Sequence, residues 1–126
     1  MEEEFRALLL AASGVTALVS TRVDWSAHVQ GEPWPALVLH VISATTQPTY
    51  TGPDTLQQAR VQVDCIALTY LGAKTLSRAV LSALNGTRGG RFQGIFHSLT
   101  REDRLGGSNE AERPFRVSVD FMTNWR

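Results

Sequence analysis

The side chains able to do chemistry are few and scattered. His28, His40 and His97 lie far apart and share no metal-ligand spacing. Cys65 is the one cysteine, so neither an intrachain disulfide nor a cysteine-based metal cluster is possible. It falls in the apolar phase of an alternating run, which predicts a small buried hydrophobe, and the sequence supplies no base to activate it as a nucleophile. Glu102 and Asp103 are adjacent carboxylates in a charged stretch, the pattern of a solvated turn. No Gly-x-Ser-x-Gly elbow and no HExxH helix occurs. The segment Asn85 to Arg91 interleaves Gly86, Gly89 and Gly90 with Arg88 and Arg91, which invites a phosphate-cradle reading. It lacks Gly-Lys-Ser/Thr and follows a helix instead of opening one, so a helix-to-strand connection is expected. The expectation is a protein that is not an enzyme, with no catalytic residue, no metal ligand and no cofactor.

The elements that would position these residues centre on Gln57 to Leu84. Ala59, Val61, Val63, Cys65 and Ala67 alternate with Gln58, Arg60, Gln62 and Asp64, which predicts a strand with one buried face, running on to Tyr70. Gly72 is expected to break it. Leu76, Ala79, Val80, Ala83 and Leu84 then repeat at helical spacing over a helix from Ala73, and Asn85-Gly86 supplies the stop.

Ahead of this unit, Glu2 to Ala12 reads as a helix, with Phe5, Leu8, Leu9 and Ala12 on one face and three glutamates at its positive end. Ser13-Gly14 should break it, with one more turn at Val15 to Val19. Asp24, Gly31, Pro33 and Pro35 make a long strand or regular helix unexpected over Thr21 to Pro35, where Trp25 and Trp34 read as packing anchors, the alternative being that one of them is exposed at an interface. Pro35 to Thr46 reads as a strand with Leu37, Leu39 and Val41 on one side and Val38, His40 and Ile42 on the other. His40 is expected to be a satisfied or interface histidine. Gln47 to Leu56 reads as a long connection. Phe92 to Arg104 is a strand with Phe92, Gly94, Phe96 and Ser98 opposite Ile95, His97 and Leu99. After Pro114, Phe115, Val117, Val119 and Phe121 alternate with Arg116, Ser118 and Asp120 in a last strand.

The order is α-β-β-α-β-β. It predicts an α+β fold: a four-stranded, mostly antiparallel sheet with two main helices packed on one face, in one domain over residues 1–126. The second face would show Val38, Ile42, Ile66, Leu68, Ile95, Leu99 and Met122, more apolar surface than a small lone domain exposes. Two open sheet edges add to this, and another copy of the chain is the simplest partner.

Bulk composition agrees with such a domain. The chain has 126 residues, 43% of them apolar, and zero formal net charge. A protein that holds nucleic acid through bulk charge would be basic, so that class is disfavoured. Met1-Glu2-Glu3-Glu4 is acidic where a secretory leader is basic, and no apolar run approaches the ~20 residues of a membrane span. A protein made and kept in a cytosol-like compartment is expected, with no membrane partner.

Several stretches resemble the tail-completion, or tail-terminator, family of long-tailed phages and gene transfer agents. These are the opening helix Glu2 to Leu10, the entry Pro33 to Val38, the strand Ala59 to Cys65 with Thr69-Tyr70 and the helix Ala73 to Leu84, the strand Phe92 to Ile95, and the closing Arg116 to Phe121. The resemblance spans nearly the whole chain. It implies a structural protein of the virion or phage-like particle, assembled in the bacterial cytoplasm into a hexameric ring at the head-tail junction. The ring ends polymerisation of the tail-tube protein, joins the tail to the head-side connector or stopper, and passes double-stranded DNA without sequence specificity. Under this reading Arg88, Arg91, Arg101 and Arg104 are candidate channel-lining residues, because one loop arginine per subunit becomes a ring of them. Tyr50, Thr51, Gly52, Pro53 and Leu56 are candidates for an arm that contacts the tube or connector. The rival readings are another connector or stopper ring, a tail-tube subunit, and a small ligand-binding domain or enzyme.

Overall fold

The computed structural model describes residues 2–27, 34–48, 55–89, 92–104 and 114–125. Their elements are α1 (Glu2–Ala11), α2 (Ser13–Val19), β1 (Val23–Trp25), β2 (Ala36–Pro48), β3 (Thr55–Ala67), α3 (Tyr70–Leu84), β4 (Thr87–Gly89), β5 (Phe92–Arg104) and β6 (Phe115–Trp125). The class is α+β, as expected, but with three helices and one six-stranded sheet in the order β1-β2-β3-β6-β5-β4. The four expected strands form its centre and are antiparallel throughout. The additions are β1, parallel to β2, and β4, antiparallel to β5. Each has three residues in a stretch rich in Gly, Pro or charge, too short for a period-two signal to register.

One face of the sheet carries the core. Val61, Val63 and Cys65 of β3, Leu37 and Leu39 of β2, and Val119 and Phe121 of β6 are fully buried against the helices. From above come Phe5 and Leu9 of α1, Val15 and Val19 of α2, and Ala73, Leu76, Val80 and Leu84 of α3. The first helix ends at Ala11; Ala12 is extended (φ −85°, ψ 112°) and makes the break, and Ser13-Gly14 belongs to α2. Trp25 is an anchor as expected: its ring packs 6.0 Å from that of Phe5, and its Nε1 donates to the Glu2 carbonyl at 3.2 Å.

The turn from β3 into α3 differs from its sequence reading. The strand stops at Ala67 and the helix starts at Tyr70, so Gly72 lies inside the first turn. Thr69 is the N-cap, with its Oγ1 accepting from the Gly72 amide at 3.0 Å. A Cβ on residue 72 would sit 2.8 Å from that oxygen and 3.2 Å from the Ala67 methyl, so the glycine makes room for the cap. At the other end Gly86 takes the left-handed conformation, φ 79°, while Asn85 stays extended.

Register shifts correct two more expectations. In β5, irregularities between Phe92 and Gly94 and between His97 and Leu99 reverse the alternation. Phe92 and Ile95 therefore both join the core, while Phe96 and Leu99 are exposed. In β2 the register shifts between Val41 and Ser43, and Val41, expected beside Leu37 and Leu39 on the buried side, is exposed, while Ile42 is half exposed as expected. The expected connection Gln47 to Leu56 is shorter than read: β2 runs to Pro48 and β3 begins at Thr55, so Leu56 lies in a strand.

Candidate assembly surface

The sheet face turned away from the helices is built from the polar phase of each long strand. Cross-strand register puts Asp64 beside Ser118, Gln62 beside Asp120, Arg101 beside Ser118, and Asp103 beside Arg116. Opposed residues of antiparallel neighbours point the same way, so these side chains meet on one surface.

Two carboxylates organise it. Asp64 accepts from Ser118 Oγ and from Gln62 Nε2, both at 2.7 Å, with His40 Nε2 at 3.2 Å. Arg116 stands 4.0 Å from Asp64, and its Nε donates to Asp103 at 2.8 Å. Asp120 accepts from Arg60 Nε at 3.0 Å. Its other oxygen is buried without a hydrogen bond and faces Arg101 Nη2 at 3.7 Å. Arg101 in turn donates to Gln62 Oε1 at 2.7 Å, which ties the two groups together.

Asp64 and Asp120 are each only 3% exposed, although no helix covers this face. The guanidinium stems and Gln62 lie over them, as long amphipathic side chains do. Burying a carboxylate is costly unless it is paired, and both are. The bond to Arg116 holds Asp103 below the usual carboxylate range and pushes the guanidinium up in turn. Arg60, Arg101 and Arg116 face Asp64, Asp103 and Asp120, so the surface is densely charged and electrically balanced.

Glu102 and Asp103 do not form a turn. They sit near the end of β5, and their register partners Val117 and Arg116 send them to opposite faces. On the helix side Glu102 accepts from Tyr70 Oη at 2.9 Å and pairs with Lys74, and these bonds hold it below its ordinary value. A shallow depression of about 490 Å³ runs over Gln62, Arg101, Glu102, Asp103, Arg116 and Ser118. Every ionisable group in it already has a protein partner, so it offers neither a free base nor a free acid. Cys65 is fully buried on the opposite phase, where burial pushes its thiol far up. Among the described residues no three metal-ligating side chains converge. No helix among them is long and apolar enough to cross a membrane.

The borders of the sheet complete the surface. β1 accompanies β2 only at Leu37 to Leu39, and the Ser26 amide then closes on the Leu39 carbonyl. β4 accompanies β5 only at Phe92 to Ile95, and Asn85 Oδ1 accepts from the His97 amide. Among the described residues no strand lies on the outer side of His40 to Pro48, away from β3, or on the outer side of Ser98 to Arg104, away from β6. Val41, Ile42, Phe96 and Leu99, each at least 40% exposed, flank these borders.

The sequence-predicted site residues are dispersed. Arg88 is exposed on β4, at the outer border. Arg101 lies on the charged face, engaged by Gln62 and Asp120, and not in a loop. Arg104 is the last residue of β5. Arg91 and the arm residues Tyr50, Thr51, Gly52 and Pro53 lie outside the described residues. Sequence reasoning listed Arg60, Asp64, Arg116 and Asp120 only as polar-phase residues. Their alternation was the available signal, but partners some sixty positions apart cannot be matched without the register.

An α+β chain with one dry sheet face, one charge-balanced face and two unfinished borders has the form of an assembly subunit. Residues 3–125 match the model of the family described as Tail completion protein gp17, and the chain belongs to that family. It is a family of structural phage-tail proteins, not of enzymes. A chain in a solved structure described as "Virion of native gene transfer agent (GTA) particle" is similar at TM-score 0.71 and 22% identity. The likeness covers 96% of this chain and 90% of that one. At that identity it establishes a shared fold. No curated protein matches.

Proposed function

We propose that the chain, as one domain over residues 1–126, is a ring-forming structural subunit of a phage or gene transfer agent tail. It sits in the particle at the head-proximal end of the tail tube, ends tube polymerisation and joins the tail to the head-side connector. The ring is sixfold, as the family resemblance implies, and double-stranded DNA passes through it. Family membership and the likeness to a chain of a gene transfer agent virion support this reading.

One observation carries it: the helices cover one sheet face, while the other bears buried aspartates under paired arginines. A wall facing passing DNA must be wetted without gripping phosphates. Unpaired arginines would bind DNA with the steep salt dependence of phosphate contacts. Arginines already neutralised by Asp64, Asp103 and Asp120 would not. Arg88, Arg91 and Arg104 remain candidates, beside Arg101, for lining the channel, and Tyr50 to Pro53 with Leu56 for the arm that reaches the tube or connector.

Electron microscopy of particles lacking the protein tests the role. Overlong tails and heads without tails are expected. Tails of normal length joined to heads would refute it. In particles assembled with the variant instead of the parent, Asp120→Ala, which frees Arg101 and Arg60 from their carboxylate, should slow DNA delivery in a salt-dependent way. Unchanged delivery by a folded variant would remove the charged face from the channel.

A further inference from the structure

We infer that Arg101 is the arginine of the charged face that leaves its seat for a backbone phosphate of passing DNA, and that Gln62 is the positioning residue that holds it back. This rests on the reading of that face as the channel wall, and it names the two residues that set how firmly the wall holds DNA.

The three arginines of the face are held unequally. Arg116 forks onto Asp103, with Nε and Nη2 each on one carboxylate oxygen, and Asp64 stands behind it at 4.0 Å. Arg60 donates from Nε to Asp120 at 3.0 Å. Both side chains are about one-third exposed. Arg101 is 57% exposed, and among the described residues its side chain makes one hydrogen bond, to the neutral Oε1 of Gln62 at 2.7 Å. Its carboxylate, Asp120, stands 3.7 Å away, outside hydrogen-bond reach. A fork onto a carboxylate is the strongest of these arrangements, and a single bond to an uncharged acceptor is the weakest.

The seat also asks much of the side chain. Arg101 stands on β5 opposite Ser118 of β6, whereas Gln62 belongs to β3, on the far side of β6. The guanidinium therefore lies flat across a whole strand, over two strand spacings or about 10 Å. Holding a long side chain in one such conformation costs it rotamer freedom. Released from Gln62, Arg101 regains that freedom and turns from the sheet toward whatever fills the channel.

Gln62 suits the holding role by its chemistry. Cross-strand register flanks it with His40 on one side and Asp120 on the other. Its Nε2 donates to Asp64, which Ser118 Oγ also holds, and this aims Oε1 at Arg101. The position needs one donor and one acceptor on a planar head, which an amide supplies. Glutamate would keep the acceptor but set a third carboxylate beside Asp64 and Asp120. Alanine would lose both functions. A DNA phosphate offers Arg101 a fully charged acceptor in place of a neutral one. The buried Asp120 oxygen that lacks a hydrogen bond draws the guanidinium back once that phosphate has moved on. The contact is thus made and broken as DNA slides.

A mutant cycle on the purified protein tests the pair, with binding of a fluorescein-labelled, mixed-sequence DNA duplex followed by anisotropy. Gln62→Ala should bind more tightly than the parent at low salt. Between about 50 and 200 mM salt it should lose roughly threefold more affinity than the parent for each arginine freed. Gln62→Leu, which keeps the volume and loses both polar functions, replaces it if the alanine variant fails to fold. Gln62→Glu retains the acceptor and should show no gain. In an Arg101→Gln background, Gln62→Ala should change nothing. Equal tightening in both backgrounds would show that Gln62 acts through another group and would overturn the inference. So would a folded Gln62→Ala that binds no more tightly than the parent, the case of no binding by any variant included. These results leave the annular role standing, since that role fails separately, when particles lacking the protein carry tails of normal length joined to heads.

Discussion

The two faces of the sheet hold the same strands and obey different physics. Under the helices, Val61, Val63, Phe121 and Leu76 are fully buried and stabilise by removing apolar surface from water. On the other side Asp64 and Asp120 are nearly as buried, yet their cover consists of arginine and glutamine side chains. The first face works by volume and tolerates no void. The second works by pairing, with partners that can still reach water. The comparison teaches that one sheet can be sealed by apolar volume on one side and by matched charges on the other.

Substitutions can set the faces against each other. Phe121→Ala empties the middle of the dry face and should cost about 3–5 kcal/mol in denaturant unfolding, a large part of a small domain's stability. A loss under about 1 kcal/mol would mean that the helices do not close that layer. Asp120→Ala on the charged face should cost less, about 1–3 kcal/mol, because Arg60 and Arg101 are partly exposed and can turn to water. If it matches Phe121→Ala, pairing and packing weigh equally and the contrast fails.

Thr69→Ala removes the cap that starts α3 and should cost about 1 kcal/mol, a local effect feeding only the dry face. Smaller still is the Asp103 pair with Arg116. Because the folded pKa of Asp103 is depressed, its contribution is complete above the ordinary value near 3.8. It is lost as pH falls through the lower, folded value. With half of the Asp103 side chain exposed, screening keeps the effect below about 1 kcal/mol. Stability measured from pH 6 down to pH 2 should be slightly less acid-sensitive in Asp103→Asn than in the parent. An identical acid profile would show that this pair contributes nothing.

Leu99→Ser should be the quietest in the isolated subunit, within about 0.5 kcal/mol, since the side chain is already 43% exposed. Its effect belongs to the assembly, where incorporation into particles should fall. A variant that unfolds readily would place Leu99 in the dry layer instead.

The sequence by itself determined the class of fold, the central helix and the four long strands, because burial on one side imprints period two on a strand and helical spacing on a helix. Val61, Val63 and Cys65 against Arg60, Gln62 and Asp64 announce both faces of β3, and Leu76, Val80 and Leu84 announce the buried side of α3. The resemblance to the matching family lay in particular stretches, such as Ala59 to Cys65 and Arg116 to Phe121, and not in the alternation as such. Tertiary structure alone decided what short or irregular segments do. Three residues of β1 carry no period, the β5 irregularities hand Ile95 to the core and Phe96 to solvent, and Gly72 proved to make room for a cap. It alone also matched Asp64 with Ser118 and Asp120 with Arg60. Such partners depend on strand register, which is set by the packing of the whole sheet and leaves no mark within a window of neighbouring residues.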